Sequence, residues 1–551
     1  MKNQIINTQE KTQNKLVPSL IEADKKPLIE LIKVGKKYKD KVILKEIDLK
    51  IYEDDRIGII GSNGAGKTTI SEIIGGTKVI SSGTIKRATD TILGFQFQAS
   101  AYPVGITVFD MIKYYLEVFS IPMDESELNQ VLERYQISKF KNRSLERLSG
   151  GQQQLVNILL SLIHNPDFVI LDEISTGLDI EVRSEIFKII RENIIAQNKG
   201  MVLVTHQMQE IEDLCNKFIY IDQGEIKESG EVSKLVDAYG SVENYTMLKL
   251  KKSKEKKIVV LSDTRTNNKP AVINPKNRFN KIINSEQNKG KSIPLIKLIL
   301  KYYYKGIAVP FFLLAFPIIL MFLEGFAFKE IYGGLNPQAT AKIIKQLTVS
   351  VGTVCIIIVG ISVLPQTLIE FRNSGLMKRI GSTNTRAINF IISTIGICVI
   401  FMILTFLWTL LWSGIMFGWE FGWKEIIAPK QIGESIGYLA LIILTSTTFG
   451  LMIASLFKSS SPTAYITISN IIFIPTAFLS GSFIPIDLIE KSTILNGFSY
   501  LNVFKYTITP LNSSWFGTFE FDLKNTIFFF VSLIIIITFG FISFKKLSWD
   551  K

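Results

Sequence analysis

Six apolar stretches in the second half of the chain constrain its fold more than any other feature. They run over roughly Gly306–Leu323, Leu347–Ile369, Asn389–Gly414, Ile436–Phe457, Thr463–Ser480 and Asn525–Phe544. A helix that crosses a bilayer needs about 20 mostly apolar residues. These stretches therefore predict an all-α, six-span membrane domain over residues 294–551. Trp412, Trp419 and Trp423 cluster where the third span should leave the outer face, as an aromatic belt would. Few charges lie within the spans, where charge is expensive. Thr445–Thr448, Ser469 and Asn470 either face a pathway or bond to helix backbones and pack between helices.

The first half is different in kind. At 551 residues the chain exceeds one ordinary domain, and most acidic residues precede about Gly240. The formal net charge of +13 is concentrated in Lys249–Lys305, which holds 16 Lys/Arg against 3 Asp/Glu. Basic residues beside a span favour the cytoplasmic side and attract anionic lipid. Because the run abuts a span, it is not read as a nucleic-acid surface. The segment 241–293, rich in Lys, Asn and Ser, reads as a basic flexible linker, and residues 1–27 as a disordered tail without a secretory signal. "PLIKLILKYYYKG" puts Leu295, Ile296, Ile299 and Leu300 on one face, which suits either an interfacial helix or the first turns of a span. Cys215, Cys355 and Cys398 show no CxxC spacing and read as ordinary thiols.

Residues 28–240 carry the chemistry. "LIELIKVGKKYKDKVILKEIDLKI" alternates around a Lys/Asp turn and predicts two strands. "RIGII" predicts a short buried strand, and "TTISEIIGG" a helix. Between them lies "GSNGAGKTT": Gly61, Ser62, Asn63, Gly64, Ala65, Gly66, Lys67, Thr68 and Thr69. The order strand, glycine-rich loop, helix is the setting this motif requires. Its glycines turn backbone N–H groups toward phosphate oxygens, Lys67 adds a cation for the β and γ phosphates, and Thr68 offers a hydroxyl to Mg2+. "LERLSGGQQQ" precedes a helical run, "FVILDE" is a buried strand ending in Asp172 and Glu173, "STGLD" ends in Asp179, and "MVLVTH" is a strand ending at His206.

These motifs together resemble the nucleotide-binding domain of ATP-binding cassette transporters, an α/β P-loop ATPase domain with a helical subdomain; LSGGQ is the most specific of them. The resemblance implies roles residue by residue. Asp172 would hold Mg2+ through water, and Glu173 would be the general base. His206 would contact the γ-phosphate, and Tyr38 would stack on adenine. Gln98 in "GFQFQ" would sense nucleotide and metal and face the membrane domain, with Gln96 as its rival. Ser149, Gly150, Gly151 and Gln152 would meet ATP bound to the other subunit, with Asp179 close by, so a homodimer or a pair with a related half-transporter is implied. Two departures from the family pattern, Ile174 in place of proline and "QQQL" after the signature, touch no group that does chemistry.

"IEFRNSGLMKRIGSTNTR" and "FLSGSFIPID" resemble the membrane half of the branch that exports drugs, polysaccharides, lipids or peptides, the type V exporter fold. The resemblance implies an ATP-driven primary transporter with ATP and Mg2+ as cofactors. Its partners would be the lipid bilayer and an unidentified cargo, with no nucleic acid. An even number of spans would keep the ATPase, the linker and both termini cytoplasmic. The loop Glu370–Ala387 is expected to dock on the cassette beside Gln98. The alternative is an ATP-driven mechanical or regulatory membrane module that moves no solute.

Overall fold

The computed structural model describes residues 26–38, 41–97, 102–251, 292–306, 308–332, 337–383, 385, 387–457, 462–480, 489 and 491–546. Most of the expected tail, residues 252–291 of the expected linker, Gln98, and most of "FLSGSFIPID" lie outside them.

The strands alternate as predicted around the Lys/Asp turn. β1 (Ile29–Tyr38) and β2 (Lys41–Ile51) pair antiparallel, with Ile29, Leu31, Val34, Leu44 and Ile47 turned into the core. β4 (Ser82–Arg87) pairs on the other side of β1, so this sheet has the order β2-β1-β4. The second sheet has six strands. It combines β3 (Arg56–Gly61), β5 (Leu93–Gln96), β6 (Phe168–Asp172), β7 (Gly200–Val204), β8 (Lys217–Asp222) and β9 (Glu225–Glu231) in the order β5-β6-β7-β3-β8-β9. Only the β8–β9 pair is antiparallel. The parallel strands are covered on both faces, so β6 and β7 are apolar runs buried along their whole length. Parallel register aligns strand ends. Ile59 and Asp172 both sit opposite Val204, which gathers Gly61, Asp172 and His206 at one edge of the sheet. Three helices, Val108–Phe119, Glu125–Arg134 and Gly150–Leu162, form a side layer.

A flexible connection was expected from residue 241, but the chain stays helical over 242–251. Val242 and Tyr245 are buried there, and Tyr245 packs edge-on against Phe218, Tyr220 and Tyr239. Composition concealed this because the buried face is short, Val242, Tyr245 and Thr246, within a run rich in polar residues.

Five helices among the described residues are long and apolar enough to cross a bilayer: Phe311–Ile331, Pro337–Asn373, Ile388–Phe421, Ile432–Leu456 and Leu523–Phe544. Six were expected. The expected fifth lies in the helix Pro462–Leu479, whose described apolar part, Thr467–Leu479, is shorter and contains Pro475. Two short helices not foreseen, Thr493–Ser499 and Lys505–Phe516, follow it. Lys505–Phe516 packs on Ile432–Leu456, where Ser435 and Ser514 share a hydrogen bond of 2.9 Å. Pro337–Asn373 lies at the centre of the helical half, and its most apolar stretch is almost wholly buried. Its Gly360 is nearly in backbone contact with Gly450, where an added Cβ would lie 2.0 Å from the Gly360 carbonyl oxygen. Small residues permit such approaches between helices in lipid.

The cassette and the membrane half meet through the helix Ser292–Lys305, which packs on both Val108–Phe119 and Ala387–Phe421. Its buried face is Leu295, Leu298, Ile299, Tyr302 and Tyr303, while Leu300, expected on one face with Leu295, Ile296 and Ile299, is exposed. The stripe is rotated because the helix serves two neighbours. Its polar edge is a ladder of lysines four apart. Lys297 meets Glu117 at 3.0 Å, and Lys301 and Lys305 both meet Asp110 at 2.5 Å. Asp110 also closes a capping box with Thr107 at the start of its own helix. Burial raises the proton affinity of Asp110, but hydrogen bonds from Lys301, Lys305 and Thr107 outweigh it and hold the carboxyl at about 2.

Two predictions follow from this packing. Gly450→Ala should lower the thermal midpoint of the purified chain, with an overpacking cost of about 1–3 kcal/mol. Gly437→Ala, in the same helix with open space around it, should leave the midpoint unchanged. The second concerns Asp110, whose pKa is lower folded than unfolded. Its stabilisation is therefore present above the unfolded value near 3.8 and lost as pH falls through about 2. After screening of the half-exposed lysines it is worth about 1–2 kcal/mol. The midpoint difference between wild type and Asp110→Asn should be constant from about pH 5 to 8 and shrink as pH falls below about 4.

Candidate active site

The glycine-rich loop leaves the end of β3 and runs into the helix Lys67–Ile74. Gly64 and Gly66 have φ of 80° and 108°, a region that side chains with a Cβ rarely adopt. At Gly66 a Cβ would also meet Leu44 Cδ2 at 2.6 Å. The loop holds its own shape, since the Ala65 N–H donates to Ser62 O at 3.1 Å and the Gly224 N–H to Ala65 O at 3.2 Å. Asn63, Gly64 and Thr68 are exposed, Ser62 and Thr69 half-buried. Lys67 curls back into the loop and donates to Gly61 O at 2.8 Å and Ser62 O at 3.1 Å. Burial lowers its pKa, against the opposing pull of Glu173 and Asp172.

Asp172 ends β6 and is 2% exposed. Burial, then the neighbouring charges of Glu173 and Glu72, raise its pKa to about 7; Lys378 and Lys67 pull the other way. Its Oδ1 is buried without a hydrogen-bond partner. Together with the Thr68 hydroxyl it offers hard oxygen donors at the mouth of the loop, a set that suits Mg2+ shared with substrate phosphates. No cluster of three or more His, Cys, Asp or Glu able to hold a metal alone occurs among the described residues.

Glu173 has a φ of 53°, a strained backbone position for a residue with a side chain. Its N–H is held by Val204 O at 2.8 Å, and its Oε1 lies 3.3 Å from His206 Nε2. Lys67, Asp172, Glu173 and His206 are thus one constellation at the ends of β3, β6 and β7. Behind it, the Ser175 hydroxyl bonds the buried Glu210, and Arg183 lies 4.0 Å from the same carboxylate.

The other expected residues lie farther out. Ser149 caps the helix Gly150–Leu162 in a reciprocal capping box with Gln152, and Ser149 and Gly150 are exposed. Gly151 lies against Val182, where a Cβ would come within 3.3 Å. Asp179 caps the next helix, Ile180–Ile190, by accepting from the Val182 N–H at 2.9 Å. Ile180 beside it is 89% exposed. Tyr38, at the end of β1, is also exposed, with the ammonium groups of Lys36 and Lys78 at 4.9 and 5.5 Å from its ring.

Gln98 lies outside the described residues. Its rival Gln96 is fully buried and committed to the fold, because its Oε1 accepts from the Asp172 N–H at 2.8 Å and its Nε2 donates to Phe97 O at 2.7 Å. Gln96 therefore cannot also serve as a mobile sensor. His164 stacks on Phe119 with ring centroids 4.2 Å apart and burial lowers its pKa, so it is a core residue.

The sequence did not reveal Glu72. It stands on the helix that begins at Lys67, is 5% exposed, and lies between Lys78 and Lys378, the latter at 3.0 Å. Lys378 belongs to the helix Gly375–Ser382, inside the loop expected to dock on the cassette. Next to it Arg379 is 1% exposed, donates to Asn157 Oδ1 at 2.5 Å, and lies 5.7 Å from the rings of both Phe97 and Tyr102. Thr383 and Tyr114 share a hydrogen bond of 3.2 Å, and Glu370 takes the Tyr302 hydroxyl at 2.7 Å and the Val104 N–H at 3.2 Å. The lysine spacing in Ser292–Lys305 was a readable signal for the Asp110 contact. Nothing local marks the contacts of Glu72 and Asn157 with the membrane half, because Lys378 and Arg379 lie more than two hundred residues away.

Comparison with known proteins agrees with this architecture. Residues 44–176 match the family model described as ABC transporter, and residues 295–516 the model described as ABC-2 type transporter. An uncharacterized ABC transporter ATP-binding protein of Methanocaldococcus jannaschii is 30% identical over 243 residues, 43% of this chain and 92% of that protein. ABC transporter G family member 20 of Dictyostelium discoideum is 31% identical over 229 residues, 39% of this chain and 31% of its own length. Several other curated cassettes are spanned over 58% to 70% of their length. The solved dimeric structure of a bacterial ABC transporter cassette is 26% identical, with a TM-score of 0.33, covering 37% of this chain and 98% of that one. The chain belongs to the ABC transporter family, with an ATPase cassette and an ABC-2 type, multi-pass membrane domain joined in one polypeptide.

Proposed function

We propose that the chain is one half of an ATP-driven exporter, that two copies form the working unit, and that its cassette faces the cytoplasm. The cargo class favoured is lipid or amphipathic, since charge is scarce in the spans. Glu72 carries the reading. It lies one turn beyond Thr68 on the phosphate-loop helix and takes Lys378 from the membrane half. A change at the phosphates can therefore be felt where the buried Glu72 meets the half-exposed Lys378 of the membrane half.

In this reading Lys67 leaves the Gly61 and Ser62 carbonyls and takes up phosphate oxygens. The loop N–H groups and the N-terminus of the helix Lys67–Ile74 orient the same phosphates. Asp172 and the Thr68 hydroxyl hold Mg2+, which when bound neutralises charge on the β and γ phosphates. Glu173 accepts the proton of the attacking water, and His206, 3.3 Å away, positions that carboxylate and reaches the γ-phosphate. Tyr38 packs on the base, and Gln98 links the site to the membrane half. The exposed Ser149 and Gly150, with Asp179 and the uncovered Ile180, form the surface that closes on ATP held by the partner.

Three outcomes test this reading. Glu173→Gln should bind nucleotide like wild type and lose hydrolysis by about 100-fold or more, the usual worth of a positioned general base. Binding and phosphate release measure the two separately, and near-normal turnover would remove Glu173 from that role. In mixed dimers of a Lys67→Ala chain with a Ser149→Arg chain, sites completed by the partner would keep one intact site, which a nucleotide-binding assay counts; no intact site would mean each chain completes its own. In proteoliposomes, a lipid or amphipathic cargo should stimulate vanadate-sensitive hydrolysis. Lys378→Gln should lose the stimulation over its own basal rate. Equal stimulation in that variant, or none by any cargo class in wild type, would defeat the exporter reading.

A further inference from the structure

A cavity of about 590 Å³ opens where the cassette meets the start of the first span. Arg143, Arg147 and Lys305 line it, together with Asn142, Ser144 and Thr107. Lys305 ends the helix Ser292–Lys305, and the first spanning helix begins six residues later at Phe311. The backbone closes tightly here, for a Cβ on Gly105 would lie 3.2 Å from Lys305 Cβ.

The charges around the cavity do not cancel. Lys301 and Lys305 share the single carboxylate of Asp110, and Arg147 lies 3.7 Å from Glu146. Ser144 accepts from the Gly105 N–H at 3.0 Å and also bonds Glu146. The Arg143 guanidinium and the Asn142 amide have no side-chain partner among the described residues. The lining thus holds three cations and no carboxylate, and a fork of guanidinium donors is left to bind an anion. Guanidinium groups pair with phosphate oxygens through two parallel hydrogen bonds.

Two exposed apolar side chains neighbour the lining residues in the chain. Tyr304, next to Lys305, is 83% exposed, and Val104, next to Gly105, is 58% exposed. A protruding tyrosine beside a lysine at the root of a span suits the headgroup level of a bilayer. A basic site whose Lys305 lies six residues before the first span, at Phe311, stands where anionic headgroups collect beside spans.

We propose that this cavity binds the phosphate of an anionic phospholipid headgroup, with Arg143 and Arg147 as the phosphate ligands and Lys305 closing the site. Because Lys305 also grips Asp110, an occupied site would steady the contact between cassette and membrane half. The inference rests on the membrane-embedded reading of the chain and not on transport.

The test is native mass spectrometry of the solubilised full chain without nucleotide, titrated with phosphatidylglycerol, phosphatidylcholine or inorganic phosphate. Wild type should retain phosphatidylglycerol in preference to both. Arg143→Gln with Arg147→Gln should weaken that retention about tenfold, the order expected for losing charge-assisted hydrogen bonds, and leave phosphatidylcholine unaffected. Arg143→Lys, which keeps the charge, should restore part of the loss. Glu173→Gln should bind the lipid like wild type, which separates this proposal from the transport cycle. Unchanged phosphatidylglycerol retention in the double variant would overturn the site. Inorganic phosphate bound as well as phosphatidylglycerol would overturn its assignment to lipid.

Discussion

Asp110 ties the two halves of this molecule together. A carboxylate that is 4% exposed cannot remain charged without partners, and here it has a helix cap and two ammonium groups. Both ammonium groups belong to the helix that leads into the first span. Removing one member of such a cluster leaves an uncompensated buried charge, which costs more than the cluster contributes when complete. The relative placement of cassette and spans is thereby restricted to arrangements that keep Lys301 and Lys305 on Asp110. Arg379 imposes the same condition from the second contact. It is buried to 1%, on the Asn157 amide and between aromatic rings. Two contacts that each bury one charged group, Asp110 before the first span and Arg379 after the second, fix an orientation that apolar packing alone would leave free to slide.

The phosphate site shows the complementary use of charge. Asp172 and Glu173 are adjacent acids at the end of a buried strand, and Glu72 adds a third negative group. Burial and mutual repulsion favour protonation of Asp172 near neutral pH, at about 7. Lys67 meanwhile occupies loop carbonyls that a nucleotide phosphate would displace. Each group is thus held in a state that a bound phosphate and cation would relieve. Lys378 is among the charges that favour the ionised form of Asp172, so the membrane half contributes directly to the electrostatics of the site.

The cassette was legible because its signals are local. A glycine-rich loop between a strand and a helix, an Asp–Glu pair ending an apolar strand, and a capping serine before a helix each sit within about ten residues. The pairing of β1 and β2 around the Lys/Asp turn was readable for the same reason. The misreadings arose where long-range contacts decide. The helix over 242–251 is held by Tyr245 against residues of β8 and by Tyr239. The rotated face of Ser292–Lys305 answers to two neighbours at once. Gln96 and Gln98 share a pattern, and only the β5–β6 register shows that Gln96 is spent on the Asp172 backbone.

The sequence by itself determined the class of each half, the phosphate-binding loop, the acids beside it and the apolar segments. Those follow from local backbone preferences and from the length a bilayer requires, and they need no knowledge of where distant residues go. Tertiary structure alone decided which charges meet. Glu72 finds Lys378 across 306 residues, Asn157 finds Arg379 across 222, and Asp110 finds Lys305 across 195. Beyond the lysine spacing, no periodicity encodes such pairs. They form because the buried member of each, Glu72, Arg379 or Asp110, retains its charge only beside a partner that the fold delivers.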